Sequence, residues 1–254
     1  MTAIEVYNEI HALAPTELAA SWDKVGFLTG RRGADVSKLL CALDITAEVI
    51  AEAAEWGAQM ILSHHPLFFT LETVTDATAE GELLLTLAEN GIAAVCMHTN
   101  LDAASGGVND ALALRLGLEN IAPFCRDGCG RSGTLSVPEG VSEFASRCKK
   151  ALKSGVVRFY DAGRPVKRVC VASGSGFAEF PEALESGADT FVSGDIKMSG
   201  FLAARHHKIN LLDCGHYATE VTVFDTLIPA LAARMPGVEI RLSERQGEPF
   251  SVCL

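Results

Sequence analysis

The chain has 254 residues, 48% of them hydrophobic, and carries a net charge of −11 from 21 Lys and Arg against 32 Asp and Glu. That length allows one large domain or two modest ones with a substantial core. The acidic balance disfavours non-specific binding to nucleic acid, which needs a basic surface, and no apolar run reaches the roughly 18 residues of a membrane span.

The N-terminal stretch MTAIEVYNEIHALAP has Glu5 and Glu9 and no basic cluster, so it reads as an amphipathic helix and not as a secretion signal. A cytoplasmic protein is expected. Residues 39–43 (LLCAL) read as a buried strand, and 47–56 as a helix stopped by Gly57. A short strand at 59–62 runs into Ser63, His64, His65 and Pro66. A helix at 80–89 ends at Asn90 and Gly91, a strand follows at 92–97, and a helix at 109–116 closes at Gly117. This alternation argues for an α/β fold with a largely parallel sheet.

The glycine-, proline- and cysteine-bearing stretch 123–133 breaks the pattern. A strand is then expected at 134–137, a helix at 142–152, and strands at 156–160 and 166–172. A helix at 180–185, a strand at 190–192, a helix at 196–206 and a strand at 209–212 restore the alternation. A last long helix begins near His216, and final strands are expected at 238–242 and 250–253. Two α/β lobes follow, 1–125 and 126–254, with the last helix free to pack back on the first lobe.

The eight cysteines are scattered without a Cys-x-x-Cys pair, and Cys41, Cys96 and Cys170 sit in strand-like runs where cysteine acts as a small hydrophobe. Cys125 and Cys129, in FCRDGCG, have the wrong spacing for the common structural zinc motif and no second half in the sequence. They are expected to be structural thiols. Arg31 with Arg32, and the segment from Arg164 to Arg168, are expected to be solvated loop charges.

Three fragments carry chemistry. In ILSHHPLFF a strand ends at two adjacent histidines, and Pro66 holds His65 extended. The C-terminal ends of parallel strands are where α/β folds place ligands, so His64 and His65 are candidate metal ligands. In MHTNLDAASGGVND a strand ends at His98, and Asp102 follows in a polar loop, where a carboxylate suits the bridging of two cations. Asp110, inside the next helix, ranks lower, and His98 is a candidate for ligation or proton transfer. In LLDCGHYATE, His216 and Glu220 are four apart and share one helical face. Asp213 is placed to orient an imidazole. Three imidazoles and two carboxylates, with His98 in reserve, suit zinc, iron, manganese, cobalt or nickel.

At these fragments the chain resembles the GTP cyclohydrolase 1 type 2 homologues, the NIF-three-like dinuclear metal proteins. The matching pieces are Trp22 to Gly26, SHHPLFF, HTNLDAASGGVND, GRSGTL at 130–135, SGDIK at 193–197 and DCGHYATE at 213–220. The resemblance implies a short-form fold of two α/β lobes with mixed, largely parallel sheets and no inserted domain. It implies two divalent metal ions held by His64, His65, Asp102, His216 and Glu220, with Glu220 bridging, and a ring-like homohexamer. Met198 and Ser199 stand where many relatives place a histidine.

The function expected is a dinuclear metal-dependent hydrolase acting on a small molecule, with the family name pointing to a nucleotide such as GTP. A related cyclic amide or a phosphoester is also open, and His98 is the expected proton carrier. The alternative is a metal-binding regulator, chaperone or scaffold without turnover. A nucleic-acid adaptor is disfavoured by the charge.

Overall fold

In chain order, the computed structural model, which describes residues 1–253, has eleven strands and ten α-helices among those residues. The strands are β1 (Gly26–Thr29), β2 (Lys38–Ala42), β3 (Met60–Ser63), β4 (Ala93–Cys96), β5 (Glu119–Pro123), β6 (Arg131–Glu139), β7 (Arg158–Tyr160), β8 (Val166–Val171), β9 (Thr190–Ser193), β10 (Asn210–Asp213) and β11 (Glu239–Leu242). The helices are α1 (Ala3–His11), α2 (Ala47–Trp56), α3 (Ala79–Glu89), α4 (Thr99–Ala103), α5 (Val108–Arg115), α6 (Val141–Leu152), α7 (Phe180–Glu185), α8 (Met198–His207), α9 (His216–Glu220) and α10 (Phe224–Arg234). No described helix is long and apolar enough to cross a membrane.

The chain divides into two compact units. The first holds Met1–Ala104 and Phe224–Gly247, and the second holds Ser105–Val223 with the segment from Glu248 onward. The boundary thus falls at Ala104, earlier than residue 125, and the chain re-enters the first unit at Phe224. The reason is local. Strand β5 pairs antiparallel with β6, so the 119–123 segment belongs with the sheet that follows it. At the other end, β11 pairs parallel with β2, which returns α10 and β11 to the first unit.

The first unit's sheet runs β1-β4-β3-β2-β11. Strands β11, β2, β3 and β4 are parallel, and β1 is antiparallel at one edge. Every residue of β3 and of β4 is buried, and apart from Ser63 at the end of β3 both are apolar, as strands covered on both faces are. The crossover helices begin at threonine caps: Thr46 accepts from the Val49 amide, and Thr78 from the Gly81 amide. Helix α2 ends where Gly57 takes φ +74°, a conformation that glycine reaches without strain. Leu40, Ile50, Ile61, Leu87 and Ala94 are among the residues filling the core between sheet and helices.

The second unit's sheet runs β5-β6-β8-β9-β10-β7. Only β8, β9 and β10 are mutually parallel, and β5, β6 and β7 add antiparallel pairings. Phe144, Val169, Val192 and Leu212 belong to one side of its core, and Phe180, Phe191 and Ile209 to another. Two sequence expectations change. The long helix from His216 is broken into α9, a 3₁₀ turn at Val221–Val223, and α10. Residues 250–253 form no strand.

Candidate metal centre

Within the first unit, three adjacent parallel strands deliver their C-terminal ends to the same edge. Asp44 follows β2, His64 and His65 follow β3, and His98 follows β4. Parallel pairing runs on past the end of β3, because the amides of His64 and His65 donate to the carbonyls of Ala42 and Leu43 at 3.1 and 2.8 Å. Both histidines are therefore fixed by main chain before any ligand arrives. The ring centroids of His64, His65 and His98 lie 5.1 to 5.7 Å apart. One nitrogen from each falls within 4.8 Å of the others, a group that can hold a metal ion.

Asp102 lies in helix α4, not in a loop as expected from its polar neighbours. The His98 carbonyl accepts from the amides of Leu101 and Asp102 and starts that turn, and Asn100 locks it by donating to the Ala14 carbonyl at 2.7 Å. Asp102 Oδ1 thereby sits 3.7 Å from His64 Nε2.

The second unit repeats the same construction. Strands β8, β9 and β10 are parallel and end at Gly174, Asp195 and His216 after short turns. His216 Nε2 is 3.2 Å from Glu220 Oε2 one helical turn on, as the i, i+4 spacing implies. The room is made by glycine. A Cβ on Gly174, which has φ +58°, would lie 2.1 Å from Glu220 Oε1 and 3.1 Å from His216 Nε2. Gly174→Ala is therefore expected to displace Glu220, to destabilise the fold by about 1–3 kcal/mol, and to weaken metal binding at least tenfold. Titration calorimetry with Mn²⁺ would read this, and an unchanged affinity would remove Gly174 from the site.

Hydrogen bonding fixes which nitrogen each imidazole presents. His64 Nδ1 meets the Met97 carbonyl at 2.8 Å, and His65 Nδ1 meets Asp44 Oδ1 at 2.8 Å. His98 Nδ1 meets both Asp23 oxygens at 3.0 Å, and His216 Nδ1 meets Asp195 Oδ2 at 2.8 Å. Each partner is an acceptor, so Nδ1 carries the hydrogen and Nε2 carries the lone pair. This is how proteins orient ligating histidines. It also supplies the test of fit. His64 Nε2 facing Asp102, and His216 Nε2 facing Glu220, are acceptors opposed to acceptors unless a proton or a cation lies between them. A donor set of imidazole nitrogens and carboxylate oxygens fits a divalent transition metal.

Asp23 has a fully buried side chain. Burial alone would raise its pKa, but donations from His98 and from the Thr99 amide and hydroxyl outweigh it and hold the carboxyl well below the usual range. It stands as an anion behind His98. Outside, the exposed rings of Trp22 and Phe69 lie 6.1 and 6.2 Å from the His98 ring and 5.9 Å from each other.

Sequence reasoning missed Asp23 and Asp44 as orienting carboxylates and assigned that work to Asp213. Asp213 instead binds Arg158 and accepts from the amides of Ile196 and Gly215, bracing both loops, while Asp195 orients His216. The available signal was position, since Asp44 ends a strand parallel to the one that ends at His64.

A family model described as Duf34/NIF3 (NGG1p interacting factor 3) matches residues 1–249. A Streptomyces coelicolor protein named GTP cyclohydrolase 1 type 2 homolog is 37% identical over 229 residues, covering 85% of this chain and 80% of the relative. A Clostridium perfringens protein of the same name is 32% identical, covering 97% of each chain. A crystal structure of Staphylococcus aureus hypothetical protein SA1388 superposes with a TM-score of 0.93 at 29% identity, covering 100% of this chain and 99% of that one.

Proposed function

Because the chain belongs to the Duf34/NIF3 family, we propose that it is a metal-dependent hydrolase whose pair of divalent cations is held by His64, His65, Asp102, His216 and Glu220. The observation that carries this reading is the uniform presentation of Nε2, with every Nδ1 committed to a carbonyl or carboxylate. Such orientation serves a ligand that needs a lone pair in a fixed direction.

Divalent cations at these ligands supply Lewis acidity and a water of lowered pKa. The remaining chemistry belongs to the chain. His98, backed by the Asp23 anion, accepts a proton at Nε2 and returns it to a leaving group. Glu220, buried in α9, brings the negative charge that offsets repulsion between two cations. Trp22 and Phe69 offer apolar ring faces beside His98, which suit a planar substrate such as a purine nucleotide. Relatives bear the name GTP cyclohydrolase 1 type 2 homolog, and the opening of a cyclic C–N bond or of a phosphoester is the class of reaction proposed. A ring-like homohexamer is part of the same reading and is supported by the resemblance alone, and a place in the cytoplasm is supported by an N-terminal stretch that reads as an amphipathic helix and not as a secretion signal.

The test pairs metal analysis of the purified protein with a screen of nucleotides, cyclic amides and phosphoesters under Zn²⁺, Mn²⁺, Fe²⁺, Co²⁺ and Ni²⁺. The expected result is metal-dependent turnover that falls about a hundredfold or more in His64→Ala. Full metal occupancy without turnover under any cation would replace this reading with a metal-binding regulator or chaperone.

A further inference from the structure

The FCRDGCG stretch has no role in the centre above, and its structure supplies what its spacing lacked. The sulfur of Cys125, one oxygen of Asp127 and one of Glu179 lie within 4.8 Å of one another. Glu179 comes from the end of a 3₁₀ turn, Gly176–Glu179, more than fifty positions along the chain. We propose that Cys125, Asp127 and Glu179 form a separate site for one zinc-class divalent cation. It lies wholly within the second unit and is independent of the histidine centre.

The loop is held in shape before any cation binds. The Gly128 amide donates to the Cys125 carbonyl at 3.1 Å, and the Cys129 amide donates to Asp127 Oδ1 at 2.9 Å. Arg131 grips the Gly128 and Gly130 carbonyls at 2.6 and 3.1 Å, and Asn109 donates to the Cys129 carbonyl at 3.1 Å. The Arg126 amide ties the loop to Glu182 Oε2 at 2.9 Å. Gly130 closes against the thiol, since a Cβ there would lie 2.9 Å from the Cys125 sulfur and 2.5 Å from the Phe124 ring. Cys125 is 7% exposed, so its sulfur is fixed by packing and turned toward two carboxylates.

Charge supports the same conclusion. Burial, then Asp127 and Glu179, push the Cys125 thiol well above its usual range. Burial, then Asp127 and Glu182, raise Glu179. The charged groups acting on both are acidic, so the cluster gathers negative potential that a cation would relieve. Binding releases the thiol proton to solvent as sulfur becomes a thiolate ligand, with no change of oxidation state. One thiolate and two carboxylates select a borderline ion such as Zn²⁺ or Co²⁺ over Mg²⁺ or Ca²⁺, which prefer all-oxygen shells.

Cobalt separates this site from the histidine centre, because only a thiolate ligand produces a sulfur-to-cobalt charge-transfer band in the near ultraviolet. Metal-free full-length protein titrated with Co²⁺ is expected to develop that band and to lose it when Zn²⁺ is added. Cys125→Ser should abolish the band while leaving the visible absorption of cobalt bound elsewhere. Glu179→Gln, at a partly exposed position that poses little risk to folding, should keep the band but weaken its half-saturation at least tenfold. A wild-type protein without the band at saturating Co²⁺, a band that survives Cys125→Ser, or unchanged affinity in Glu179→Gln would each overturn the proposal.

Discussion

Arg131→Ala is expected to destabilise the second unit by about 3–5 kcal/mol, the cost of leaving one partner of a buried ion pair unmatched. Arg131 is only 3% exposed. Its Nε and Nη2 grip the two oxygens of Asp110 at 2.7 and 3.1 Å, while Nη1 holds the Gly128 and Gly130 carbonyls. Asp110 also accepts from the Gly106 amide at 2.7 Å. One guanidinium thus fastens the start of α5 to the 124–130 loop. Arg131→Lys should recover little of the loss, because a point ammonium cannot reproduce a planar fork with two simultaneous acceptors. Urea unfolding followed by a probe in the second unit reads the effect. A loss below about 1 kcal/mol would mean that the pair is solvated and that the loop holds itself.

This pairing also explains why Asp110, the rival carboxylate of the HTNLDAASGGVND stretch, is no candidate ligand: its two oxygens are committed to Arg131 and the Gly106 amide. The sequence could rank Asp110 below Asp102 only by its place inside a helix. It could not see Arg131, which lies across a sheet connection. The same limit applies throughout. Elements with strong local signals were legible: buried apolar runs at 39–43 and 92–97, Gly57 ending α2, and His216 with Glu220 on one turn. What depended on chain return was legible only as an option. The sequence leaves the last helix free to pack back, but nothing in residues 238–242 names β2, the strand whose pairing with β11 returns it to the first unit. The orienting carboxylates Asp23 and Asp44 were hidden for the same reason. Each meets its histidine only through the side-by-side placement of strand ends or, for Asp23, through a loop 75 residues away. Asp102 reads as a loop residue in the sequence because helix α4 has only five residues, too few for a periodicity to register.

Metal-dependent stability offers the sharpest examination of whether all five proposed ligands serve one centre. A cation that binds only the folded state adds about 2.7 kcal/mol when its free concentration reaches 100 times its dissociation constant. Wild-type protein should therefore unfold at a higher urea concentration with Mn²⁺ or Zn²⁺ than with chelator present. His64→Ala removes a ligand from the first unit and Glu220→Gln one from the second. Each is expected to remove most of the metal-induced gain. Comparison with and without metal within each variant cancels the packing cost of the substitution itself, which matters because both side chains are buried. The double variant carries the decision. If both side chains hold the same cations, the first loss already abolishes the gain, and adding the second change costs nothing further, a strongly non-additive cycle. If each unit binds its own cation, the two losses sum, each single variant keeps the other unit's share, and the single dinuclear centre is refuted. The Cys125 site contributes equally to every arm when zinc is used and drops out of the difference between variants, so the outcome does not depend on it.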